Sequence, residues 1–207
     1  MKVSVDELKP TQVAVGFEQV NEKVDKLRRM DGSDLKEYLK GHEVPVIRGS
    51  GKLFMIDHHH LCLAAHRLGI RDVYVDVKED LSMLSEYDFW RKMKEEEFIY
   101  MFDEVGAPIP FEEFPRHLAP HVAGLKNDPY RSLAGLARRH GGYDKVYIPY
   151  TEFLWATYFR KADLHVLPDA LIIEKEVLKA ALELCRSEGA AGLPGYKKAM
   201  RCIREIT

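Results

Sequence analysis

Leu53-Phe54-Met55-Ile56-Asp57-His58-His59-His60-Leu61-Cys62-Leu63-Ala64-Ala65-His66-Arg67-Leu68-Gly69 is the stretch on which the reading turns. It opens as a short apolar run, which reads as a buried strand. It closes as a helix, with Leu63, Ala64 and Leu68 available for a core face and Gly69 as the stop. Asp57-His58-His59-His60 fills the join. A strand that runs directly into a helix leaves unpaired backbone N–H groups at the turn. Such a terminus attracts anions, phosphate above all. Three imidazoles add donors and a proton carrier. The plainer reading makes Asp57 an N-cap and the histidines a polar edge.

Upstream, Val3 and Val5 alternate with polar residues, and Leu8-Lys9-Pro10 ends that run as a turn. Pro10 to Phe17 reads as a loop or extended segment. Glu18 to Met30 carries a helical stripe of Val20, Val24 and Leu27, and Asp31-Gly32-Ser33 closes it. Ser33 reads as the N-cap of a short helix, Asp34 to Lys40. Val44 to Arg48 and Lys52 to Ile56 are strands joined through Gly49-Ser50-Gly51, a hairpin turn. After Gly69, Val73, Val75 and Val77 alternate as another strand. The order is that of an α+β unit with a small mixed sheet, covering residues 1–80.

Composition sets the class. The chain has 207 residues, 46% of them hydrophobic and 31% charged, with a formal net charge of -2. That is a globular composition with no global field drawing it to nucleic acid or membrane. Cys62, Cys185 and Cys202 are far apart and form no CxxC pair, which points to a reducing compartment. The first residues lack the apolar core of a signal peptide, and no apolar run is long enough for a bilayer. The expectation is a cytoplasmic protein with no membrane partner.

Val5-Asp6-Glu7-Leu8-Lys9-Pro10-Thr11-Gln12 is similar to the opening box of the ParB/sulfiredoxin-like superfamily. The stretch from Val44 through Asp57-His58-His59-His60 to Val77 resembles its second box. The Asp-His-His-His form looks closest to the ParB-like putative nuclease branch. The resemblance implies a ParB/sulfiredoxin-like fold and phosphate chemistry, with a nucleotide's phosphates at this helix N-terminus. Relatives include phosphotransferases, among them free serine kinases and sulfiredoxins, and CTP-hydrolysing partitioning proteins that clamp DNA. Two positions depart from the pattern. The box glycine is His58, which crowds the backbone, and the last box arginine is Leu61, which removes a cationic fork. The three histidines compensate only in part.

Residues 81–207 read as a mainly α-helical extension packed on the first unit. Leu81 to Asp103 forms a long helix with a broad apolar stripe from Leu84 to Phe102 around the charged run Arg91 to Glu97. Gly106-Ala107-Pro108 breaks it. Further helices run from Arg131 to His140, from Thr151 to Lys161, from Pro168 through Cys185, and, basic and terminal, from Lys197 to Ile206. Asp128 to Gly135 and Phe153 to Arg160 resemble recurring segments of the same branch.

Three functions fit these residues. The first is a phosphotransferase or phosphohydrolase. Asp57 and the helix terminus would place a phosphate or a divalent metal. One of His58, His59 and His60 would shuttle a proton, and Glu18 or Glu7 would be a second acid/base group. Phosphate would be held by His59, His60 and the N–H of Leu61, the ligand being a nucleotide, a phosphate-bearing small molecule or nucleic acid. Glu18 also reads as an ordinary first-turn carboxylate. The second is a metal-dependent nuclease. Asp57 and the histidines would be completed by His66, His117, His121 or His140, with His59, Cys62 and His66 sharing a helical face. The third is a DNA-binding or partner-binding module on Arg131, Arg138, Arg139, Lys197, Lys198, Arg201 and Arg204.

Overall fold

The structure, a computed structural model, describes residues 1–197. Strands β1 (Lys2–Ser4) and β2 (Leu8–Pro10) flank a single 3-10 turn, Val5–Glu7. Next come β3 (Ala14–Val15), α1 (Phe17–Arg28), α2 (Gly32–Lys40), the hairpin β4 (Val44–Gly49) and β5 (Lys52–Met55), α3 (His59–Arg67) and β6 (Asp72–Asp80). The sheet order is β1-β6-β4-β5-β2. β4 pairs antiparallel with β5 and parallel with β6, while β1 is antiparallel to β6 and β2 parallel to β5, so the sheet is mixed. The α+β expectation holds.

Leu8-Lys9-Pro10 is a correction. It is a strand rather than the end of one, with Leu8 opposite Leu53 and Pro10 opposite Met55. Proline is tolerated because β2 lies at the sheet edge, where no outer neighbour needs its N–H. The hairpin forms as read. Ser50 and Gly51 both take positive φ, 48° and 71°, as a two-residue turn that follows the strand twist requires. The cap of α2 is Asp31, not Ser33. Its carboxylate accepts from the Ser33 and Asp34 N–H groups, which fixes the helix start two residues earlier than the serine would.

Both faces of the sheet are buried. Val46 and Met55 belong to a core under α1 and α3 with Val20, Leu27, Leu61 and Ala65. Ile47 and Phe54 face a second core with Phe89, Trp90, Met93 and Phe114. Burial on two sides is why β4 reads as a near-continuous apolar run.

That second core is built by α4 (Glu86–Glu95) and the segment after it, which includes α5 (Phe114–His117) and β7 (Lys126–Asn127), the parallel partner of β3. The helix expected over Leu81 to Asp103 is cut to α4. Ser85 caps its start, its hydroxyl accepting from the Asp88 N–H at 3.1 Å. At its end Glu97 sits at φ 55°, and the Phe98 N–H reaches back to Met93 O at 2.8 Å. This is a Schellman ending with glutamate where glycine is usual.

By contacts the chain divides into two compact units at Asp128/Pro129, so residues 81–128 belong with the sheet. The second unit contains α6 (Pro129–Arg139), α7 (Thr151–Lys161) and α8 (Lys175–Cys185). Trp155 and Phe159 are fully buried there, and Tyr143 stacks on Trp155 at 4.3 Å. Helix α8 begins later than the expected Pro168. The β-branched pair Ile172-Ile173 just ahead of it disfavours an earlier start. Of the basic terminal helix expected from Lys197 to Ile206, all but Lys197 lies outside the described residues, Lys198, Arg201 and Arg204 included. Among the described residues, no helix is long and apolar enough to cross a membrane.

Candidate functional site

Strand β5 ends at Met55 and α3 begins at His59, so Asp57 to His60 do span the strand-to-helix turn. The N-cap is His58, not Asp57. His58 takes the left-handed conformation, φ 63° and ψ 20°, and no side chain caps the helix. The left-handed region costs a non-glycine residue roughly 1–2 kcal/mol. The position where the family box has glycine is thus one where glycine's freedom is used, and a histidine fills it here. Asp57 is exposed, and its Oδ1 accepts from the His58 N–H at 2.6 Å. It braces the turn rather than the helix. The first helical backbone bond runs from Cys62 N–H to His58 O, so the N–H groups of His59, His60 and Leu61 precede it.

The three imidazoles have different surroundings. His59 is 4% exposed. Its Nε2 accepts the Thr11 N–H at 3.2 Å, and the Thr11 hydroxyl donates to Met55 O at 2.8 Å. Accepting an amide proton requires a bare Nε2, so the ring proton is on Nδ1. Burial pushes the His59 imidazole down to about 4, against the pull of Asp57. His59 is therefore neutral at physiological pH and ties β2 to α3. The reading of the histidines as a polar edge fails at this residue.

His58 is half-buried, and burial lowers it from its ordinary value against the opposing pull of Asp57. Its Nδ1 is enclosed without a hydrogen-bond partner. Its ring lies 6.4 Å from that of His42, which stacks on Tyr38 at 3.9 Å. Lys23 Nζ donates to Tyr38 Oη at 3.1 Å and contributes positive charge at His58. His60 is half-buried in the first turn, and Leu61 is 2% exposed. Glu18 lies half-buried in the first turn of α1, the helix packed on α3.

The other expected ligands do not gather at the turn. His66 Nδ1 pairs with Asp6 Oδ1 at 2.7 Å, and its ring lies 5.9 Å from that of His121. His117 lies 3.9 Å from Glu113, and His140 is exposed in the second unit. Cys62 is fully buried, its thiol pushed up to about 12 by burial. Among the described residues, no three His, Cys, Asp or Glu side chains converge to hold a metal ion. Two arginines expected to contact nucleic acid are already engaged. Arg131 and Arg138 both pair with Glu152, the latter at 2.7 Å, joining α6 to α7. Lys197 pairs with Asp144 at 2.9 Å.

Sequence reasoning assigned no role to Thr11, Lys23, Tyr38 or His42. Thr11 lay inside the quoted opening box. His42, just past α2, carried no pattern of its own.

A mixed five-stranded sheet, with a strand-to-helix turn tied through His59 to Thr11 just past β2, is a ParB-like fold. The chain belongs to the family described as "Putative ParB-like nuclease", whose model matches residues 1–161. It is similar to the crystal structure of protein Atu1540 from Agrobacterium tumefaciens, with 35% identity, a TM-score of 0.83 and 95% of each chain covered. No curated protein matches it. The family match runs past the division at Asp128 through α7, so both units contribute to the shared pattern.

Proposed function

We propose that this ParB-like protein binds a phosphate-bearing ligand, a nucleotide or a nucleic-acid phosphodiester, at the N-terminus of α3. The observation that carries the reading is the uncapped start of α3 at His58, where no side-chain bond closes the helix. Backbone N–H groups of His60 and Leu61 hold a phosphate oxygen there. His60 donates from its side chain. His58, kept neutral by burial, is the group able to accept a proton in phosphoryl transfer or hydrolysis. Asp57 and His59 fix the turn, and Glu18 stays a candidate second carboxylate.

Two variants at one position test this. His60→Ala removes the imidazole alone. His60→Pro also removes the N–H, at a first-turn position where proline is tolerated. Calorimetry with inorganic phosphate, nucleotides and single-stranded DNA reads the result. Each charge-assisted bond lost lowers affinity roughly tenfold, so His60→Pro binds more weakly than His60→Ala. Equal affinity in wild type and both variants, or no binding in the wild type at millimolar ligand, refutes the reading. His59, pushed down to about 4, adds no positive charge to the site at physiological pH.

A further inference from the structure

On the sheet face opposite α3, a second cavity of about 320 Å³ lies beside the edge strand β2. That volume is near the bottom of the range for small-molecule sites, roughly 300–1,000 Å³. Phe54, Phe89 and Trp90 form one wall, with ring centroids 4.9–5.3 Å apart and Trp90 edge to face with both phenylalanines. The wall is set by the hairpin. A Cβ on Gly49 would come within 2.2 Å of the Phe89 ring, so only glycine lets Phe89 lie against β4. Lys9 and Lys52 also line the cavity. Lys9 Nζ donates to Pro120 O at 2.6 Å and so pins the far wall. Lys52 is exposed and has no ion-pair partner among the described residues. Glu86, from the start of α4, stands at the same cavity.

We propose that this cavity binds a small monoanion with an aromatic body, an aryl carboxylate. The rings take the apolar body, and the carboxylate pairs with the Lys52 ammonium. Two ammonium groups, Lys9 and Lys52, and one carboxylate, Glu86, leave the cavity one net positive charge, which matches a monoanion. A phosphate dianion would instead meet the Glu86 carboxylate with a second charge to place. Phe54, Phe89 and Trp90 are all buried, so the wall offers no open stacking face to a strand of bases.

The probes are phenylacetate and its neutral isostere phenylacetamide, titrated by calorimetry and by the emission of Trp90. Lys52 and Glu86 are exposed, so Lys52→Ala and Glu86→Gln leave the fold intact. Phenylacetate binds saturably, about fivefold more weakly to Lys52→Ala and more tightly to Glu86→Gln. The amide binds more weakly than the acid and responds to neither substitution. No saturable phenylacetate binding, equal binding of acid and amide, or acid affinity unchanged in both variants overturns the proposal. None of these outcomes bears on the turn at His58.

Discussion

Substituting His59 with glutamine isolates the one buried titrating group at the turn. The glutamine Oε1 can accept the Thr11 N–H as Nε2 does, but it does not titrate. In the folded protein His59 takes a proton only near 4, against an ordinary 6.5. The unfolded chain therefore binds the proton first. Its stabilising contribution is complete above pH 6.5 and is lost as pH falls from there toward 4, because the unfolded state holds more protons in that window. Integrated over the window, the loss is about 3 kcal/mol, a large share of a domain's stability. Urea denaturation followed by circular dichroism, at pH steps from neutral to mildly acid, gives the comparison. The wild type loses about 3 kcal/mol more than His59→Gln over that span. Parallel pH profiles for the two proteins would show that His59 is not held neutral by burial, and the structural role assigned to it would fall.

Three further predictions rest on separate contacts. Gly49→Ala drives a methyl into the Phe89 ring and lowers stability by about 1–3 kcal/mol in the same denaturation assay. His58→Gly relieves the left-handed N-cap and raises the melting temperature, a gain of about 1 kcal/mol, while removing the imidazole proposed as the base. Glu152→Gln removes the carboxylate that Arg131 and Arg138 share. It costs about 2–4 kcal/mol, less than for a fully enclosed pair because Glu152 keeps 21% of its side-chain surface exposed.

Much of the fold was legible because its signals are local. Alternation in Val73-Tyr74-Val75, the Gly49-Ser50-Gly51 turn and the Gly69 stop, at φ 69°, each act within a few residues. The features that were missed depend on partners distant in sequence or on unusual residues at a turn. Leu8 to Pro10 becomes a strand only because Leu53 to Met55 lies beside it. The helix expected to Asp103 stops at Glu95 because Glu97 accepts a positive φ that composition assigns to glycine. At the site, the Asp57-His58-His59-His60 turn was placed correctly. Its three imidazoles read alike, since nothing in a run of histidines says which one meets the Thr11 amide. Arg131 and Arg138 read as a free basic cluster because Glu152, which pairs with both, comes from the next helix.

The central claim is that phosphate binds at the start of α3, and amide chemical shifts on titration with inorganic phosphate and a mononucleotide test it most directly. The account predicts saturable shifts centred on the amides of His58 to Leu61, spreading to Lys23 and His42, and weakened at least tenfold by His60→Pro. Shifts that stay linear through millimolar ligand, or that centre elsewhere and survive His60→Pro, would contradict it.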